Sequence, residues 1–128
     1  MYVKPLLLAL ILSILALPAA PFAADNCDTP RDDFDGFYCL NKVYAEADRD
    51  LNKSYKELAT QLDKSGRATL KKRQLAWIGS RNDQCIFKKD GDTYLSMGCA
   101  TRMTIERTNT LNDRVRECKA TGCQPSQL

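Results

Sequence analysis

Leu40, Tyr44, Ala47, Leu51, Tyr55, Leu58 and Leu62 recur in alternating steps of four and three, the spacing that lines one face of an α-helix. This stretch predicts a long amphipathic helix ending near Asp63, with Asp63-Lys64-Ser65-Gly66 as a tight turn. Ahead of it, Asp28-Thr29-Pro30 reads as a helix start with Thr29 as N-cap and Pro30 at the first position, and Gly36 weakens the stretch that follows. A second helix is predicted over about 67–87, and a third begins around Ser96-Met97. The third carries Cys99, Met103, Arg107, Leu111, Val115 and Cys118 along one face. The pattern predicts an all-α fold: a small antiparallel three-helix bundle with a long first hairpin and the third helix packed back on it.

Gln74, Trp77, Arg81 and Cys85 fall on one stripe of the second helix, which holds the only tryptophan beside an amide and a guanidinium. The first helix has a matching stripe of Asp48, Asn52 and Tyr55. With the turn near Ser65-Gly66, Asp48 lies level with Arg81, Asn52 with Trp77 and Tyr55 with Gln74. The six residues form a polar seam whose role is structural, since a buried charge without a partner is strongly destabilising.

The remaining sizeable feature is the segment 88–97, with a sharp turn at Asp90-Gly91-Asp92. Lys88, Lys89, Asp90, Asp92 and Tyr94 make it the candidate partner-binding loop: the lysines could meet carboxylates and the tyrosine could serve as an anchor. Too few carboxylates stand at fixed offsets for a calcium loop.

Composition narrows the function. Residues 1–24 read as a signal peptide, with a short basic start, an apolar run from Leu6 to Leu17 and a small-residue exit; twelve apolar residues are too few to cross a bilayer, which needs about 20. Residues 25–128 then form one domain, periplasmic or secreted and free of the membrane after cleavage. Of the 19 Lys and Arg only Lys4 is lost with the first 24 residues, leaving 18 against 16 Asp and Glu. That near-neutral balance argues against nucleic acid as a partner. The chain has six cysteines and no histidine. In an exported chain the cysteines read as disulfides, and their spacings match neither zinc nor a C-x-x-C redox site, so no metal and no cofactor is expected. The absence of histidine leaves only carboxylates for acid–base work, and Asp32, Asp33 and Asp35 sit where a helix start favours acidic residues anyway; no enzyme is expected.

Helix lengths place Cys118 at the end of the bundle opposite Cys27, Cys39, Cys85 and Cys99, which predicts Cys118–Cys123 as a local pair. The other four allow three connectivities. A continuous helix from Pro30 would hold Cys27 and Cys39 roughly 18 Å apart, which favours Cys27–Cys85 with Cys39–Cys99.

The order of motifs resembles a known family. A cysteine pair (Cys27, Cys39) precedes A-x-x-D-x-x-LN-x-x-Y (Ala45, Asp48, Leu51-Asn52, Tyr55). Then come L-x-x-x-Q-x-x-W-x-x-x-R-x-x-x-C (Leu70, Gln74, Trp77, Arg81, Cys85) and C-x-x-x-x-T-x-x-R-x-x-x-L (Cys99, Thr104, Arg107, Leu111). This resembles the LprI-type lysozyme-inhibitor-like domain, a small exported helical protein of bacterial envelopes. The chain departs from that pattern at Ser80 and Asn82, in the loop, and in its additional Cys118 and Cys123. The resemblance implies an exported binding protein whose partner is a protein, a lysozyme or other muramidase. The alternative is an envelope accessory protein, serving a secretion apparatus or a toxin partner, without lysozyme inhibition.

Overall fold

The computed structural model describes Cys27 and residues 29–128; the expected export segment lies outside the described residues. The chain is mostly helical: α1 (Asp33–Gln61), α2 (Lys64–Cys85) and α3 (Met97–Thr121), with strands β1 (Ile86–Lys89) and β2 (Asp92–Leu95) between the last two helices. A short 3₁₀ turn, Pro125–Gln127, closes the chain. The expectation of a purely helical fold is corrected by the two-stranded antiparallel sheet.

Each helix starts on a side-chain cap. Asp32 accepts from the Asp35 amide at 2.8 Å, Asp63 from the Gly66 amide at 2.7 Å, and Ser96 from the Cys99 amide at 3.4 Å. The first cap is therefore Asp32 and not Thr29, and Gly36 lies inside a continuous helix. Asp63 caps α2 instead of forming a turn with the residues after it, so the reversal falls at Leu62-Asp63. Gly66 is buried there: a Cβ on it would stand 3.1 Å from Leu62 Cβ, so the first turn of α2 closes tightly against the end of α1.

The expected dominance of the α1–α2 hairpin does not hold; α1 packs most extensively on α3. These two helices run in the same direction. Glu57 meets Lys119 at 2.6 Å and Cys123 lies 3.4 Å from the Gln61 carbonyl at one end, while Leu40, Val43, Thr101 and Ile105 share a groove nearer the other. Small side chains explain the choice of partner. Ala47 and Ser54 of α1 and Ala100, Thr104 and Thr108 of α3 are buried. The two threonines satisfy their own hydroxyls on Ala100 O at 2.8 Å and Thr104 O at 2.9 Å, so they bury without a lost hydrogen bond. The buried stripe of α3 thus runs through Thr104 and Thr108, not through Met103 and Arg107.

The core is a leucine cluster: Leu51 and Leu58 from α1, Leu62 after it, Leu70 from α2, Leu111 and Val115 from α3, and Leu128 from the tail. It lies toward the Leu62 turn. The tail is held there by the Cys118–Cys123 bridge and by Arg73, whose guanidinium donates to the Leu128 carbonyl oxygen.

The two other bridges are Cys27–Cys39, with Cα atoms 5.3 Å apart, and Cys85–Cys99, at 5.5 Å. This overturns Cys27–Cys85 with Cys39–Cys99. The helix begins at Asp33, so the segment ahead of it bends back and brings Cys27 alongside the second turn of α1.

Candidate partner-binding surface

The polar seam is not assembled as its spacing suggests. Because the chain reverses at Leu62-Asp63, three residues before the expected turn, α2 is displaced by about one helical turn along α1. Arg81 therefore lies over the Tyr44 ring, 6.0 Å from its centroid, and over its own neighbour Trp77 at 5.2 Å, and it makes no ion pair with Asp48. Its hydrogen bonds go to the Asn82 side chain. Asn52 donates to the Asp48 backbone and carboxylate oxygens at 2.8 and 3.0 Å, a contact within α1. Gln74 meets α3 and not Tyr55: its Oε1 accepts from Arg107 Nε at 3.0 Å. Tyr55 and Trp77 are half-buried against the leucine cluster. Arg107 has a buried Nη2 without a hydrogen-bond partner, and desolvation, followed by repulsion from Arg73, lowers its pKa.

The segment expected as a loop is an ordered β-finger. Ile86 pairs with Leu95, Phe87 with Tyr94, Lys88 with Thr93 and Lys89 with Asp92. Asp90 and Gly91 turn the chain with φ of 53° and 89°, both in the left-handed region, as a two-residue hairpin turn of the right twist requires. Alternation across the pleat puts Phe87, Tyr94, Lys89 and Asp92 on one face, and Ile86, Leu95, Lys88 and Thr93 on the other. Lys88 and Tyr94 therefore stand on opposite faces. The Phe87 and Tyr94 rings stack, with centroids 5.6 Å apart and planes at 16°. Both strands are exposed throughout. The finger's base is tied by the Cys85–Cys99 bridge and by the Ser96 amide donating to the Cys85 carbonyl at 2.8 Å.

Phe87 is the functional candidate that helical periodicity hides. The two short runs IFKK and DTYL around Asp-Gly are a hairpin signal, legible once period two is tried in place of 3.6.

Exposure is concentrated at the finger's end of the molecule. Among the described residues, ten of the eleven exposed large hydrophobic side chains lie on the finger, on the first eleven residues of α1 or at Ile105 of α3; Leu75 is the exception. Phe34 reaches 76% exposure and Phe37 64%. Patches of this kind mark interaction surfaces. The nearby carboxylates serve the helix start: Asp32 caps α1 and Asp35 pairs with Arg31 at 2.6 Å, a hydrogen bond that holds the Asp35 carboxyl below its ordinary value. No group of three or more His, Cys, Asp or Glu among the described residues is placed to hold a metal ion, and no described helix is long and apolar enough to cross a membrane.

Fold and surface together define a small disulfide-stapled helical scaffold that presents a rigid β-finger and an apolar end. The family described as Lysozyme inhibitor LprI matches residues 25–111, and the chain belongs to that family. An uncharacterized protein of Rhizobium meliloti (strain 1021) is 29% identical over 125 residues, covering 80% of this chain and 90% of its own length. No solved structure matches the chain.

Proposed function

We propose that this protein is an exported binding protein that inhibits a peptidoglycan-cleaving lysozyme, with the β1–β2 finger as the inserting element. The supporting observation is the gathering of exposed apolar side chains at the end that carries a finger already locked at its base. A glycan-cleaving site is a cleft flanked by carboxylates. Lys88 and Lys89 near the tip suit those carboxylates, and the stacked Phe87–Tyr94 pair supplies an anchor on one wall. A hairpin ordered before binding loses little conformational freedom on insertion. The protein binds and blocks; it does not turn over a substrate. Of the expected seam residues, Gln74 ties α2 to α3 through Arg107 in a structural role.

The experiment is cell-wall hydrolysis by several lysozyme types, with and without the purified protein lacking residues 1–24. Slowing is expected for at least one type. The Phe87→Ala/Tyr94→Ala double variant should abolish it with an unchanged circular-dichroism spectrum, because surface changes cost little stability while anchors carry most of the binding energy.

The near-neutral balance of residues 25–128, 18 Lys and Arg against 16 Asp and Glu, favours a second reading, since a strongly basic lysozyme attracts an acidic inhibitor. In that reading the same end docks an envelope partner in an accessory role. Failure of every lysozyme type to respond at large molar excess selects it over inhibition.

A further inference from the structure

Between the first half of α1 and the start of α3 runs an open groove of about 730 Å³, within the size range of small-molecule sites. Leu40 and Val43 of α1 and Ile105 of α3 line it, together with the Cys27–Cys39 bridge. Two glycines keep it open. A Cβ on Gly98 would meet nothing within 4 Å, and one on Gly36 would meet only Pro30 carbons, at 3.9 and 4.0 Å.

The groove's polar features are few and unsatisfied. Arg102 and Glu106 border it one helical turn apart on α3, and neither makes an ion pair among the described residues. An arginine placed N-terminal to its glutamate at this spacing is the less favourable order for pairing. Thr101 also lines the groove, though its hydroxyl oxygen is itself buried and not offered to an occupant. An apolar trough thus lies beside a positive and a negative side chain whose Cβ atoms, as i and i+4 neighbours, are about 5–6 Å apart.

We propose that this groove binds a single-chain zwitterionic amphiphile: an alkyl chain along Leu40, Val43 and Ile105, its anionic head group on Arg102 and its ammonium on Glu106. The occupant is a monomer and not a bilayer. A membrane-lying surface needs a broad convex apolar face edged by basic residues, whereas this one is concave and edged by one charge of each sign. The groove shares Leu40, Val43 and Ile105 with the exposed apolar end but includes no residue of the finger, so amphiphile binding does not depend on the inhibitor reading.

The test is calorimetric titration of the protein lacking residues 1–24 with dodecylphosphocholine, kept below its micelle-forming concentration. One molecule is expected to bind per chain. Gly98→Leu fills the groove in open space, in a helix where leucine is better tolerated than glycine, and should weaken binding at least about tenfold, equivalent to ~1.4 kcal/mol. Arg102→Gln should weaken it in the same direction, and uncharged dodecyl maltoside should bind less tightly than the phosphocholine. Equal binding by wild type and a folded Gly98→Leu would place the ligand elsewhere. Equal affinity for the maltoside would refute head-group recognition. Sedimentation of the protein as a dimer that takes up no amphiphile would make the groove an interface between copies. Lysozyme slowing by Gly98→Leu should be unchanged, so loss of either property leaves the other proposal standing.

Discussion

The Cys85–Cys99 bridge can be removed by Cys85→Ala with Cys99→Ala, and its expected effect has two separable parts. The bridge joins residues 14 apart, closing a 15-residue loop that contains the whole finger. By the chain-entropy relation, opening such a loop costs about 3 kcal/mol of stability at 25 °C. The Cys118–Cys123 bridge spans a separation of only 5, and the same relation gives about 2 kcal/mol for that six-residue loop. With a urea dependence of about 1–3 kcal/mol per molar for a domain of this size, the finger bridge should move the unfolding midpoint by roughly 1–3 M. The tail bridge should move it less. The second part is local. Without the bridge, two backbone hydrogen bonds remain at the finger's base, Ser96 to the Cys85 carbonyl and Ile86 to the Asn82 carbonyl, and an isolated two-stranded hairpin is marginal in water. Amide exchange across Ile86–Leu95 should therefore accelerate well beyond what the global loss explains, while the amides of Leu58 and Leu111 follow the global change. A double variant that loses under about 1 kcal/mol and keeps finger protection would show that the bridge is incidental to the finger.

Gln74→Ala leaves Arg107 Nε without its acceptor in a half-buried site and should cost about 1–3 kcal/mol. Arg107→Met should cost less, because this guanidinium meets no carboxylate and already has an unsatisfied Nη2; a thermal-melt double-mutant cycle giving strict additivity would remove the contact from consideration. Glu57 is held below its ordinary pKa of 4.5 by the hydrogen bond and charge of Lys119. Its contribution is therefore present above pH 4.5 and lost as pH falls through the lowered folded value. Denaturation midpoints followed below that pH should fall more shallowly in Glu57→Gln than in wild type, and parallel slopes would exclude the linkage. Gly91 has φ of 89°, so Gly91→Val should raise finger amide exchange with little change in the helical spectrum, and intact finger protection would contradict the left-handed turn at that position.

Helix existence was legible from period alone, because α1 carries Ala47, Leu51 and Leu58 at regular spacing and each buries. Helix register was not. The seam pairings require Asp63-Lys64-Ser65-Gly66 to be a turn, whereas Asp63 caps α2; the earlier reversal moves every pairing. Aspartate, serine and glycine serve turns and caps equally, so that ambiguity cannot be resolved from the local sequence. The α1–α3 partnership was hidden for another reason. Thr104 and Thr108 score as polar, yet their hydroxyls fold back on the helix and leave methyl groups for packing. Likewise a helix drawn from Pro30 separates Cys27 from Cys39, and only the bend before Asp33 brings them together. The finger was in the sequence, in IFKK-DG-DTYL, but the lysines and aspartates made it resemble a solvated loop.

The distribution of core and crosslinks accounts for the molecule's asymmetry. Its leucine cluster sits toward the Leu62 turn and the tail, where Leu58, Leu70 and Leu111 are almost fully enclosed. At the other end the large apolar residues face out, so burial there contributes little to holding α1, the finger and α3 together. Two of the three bridges, Cys27–Cys39 and Cys85–Cys99, lie at that under-packed end. A bridge acts largely by restricting the unfolded chain and needs no apolar area to do so. Crosslinks thereby replace a second core, and Phe34, Phe37, Phe87 and Tyr94 remain available to a partner instead of being consumed in folding. The remaining bridge, Cys118–Cys123, belongs to the packed end, where it returns the chain so that Leu128 enters the leucine cluster. It follows that reduction should act unevenly. Under a mild thiol reductant the finger end should loosen while the helices persist, because Leu58 and Leu111 share their cluster with Leu51, Leu62, Leu70 and Val115 and do not depend on the bridges for most of their enclosure. Simultaneous loss of helical signal and finger protection on reduction would mean that the two ends are one cooperative unit, and that the division of labour between core and crosslinks is wrong.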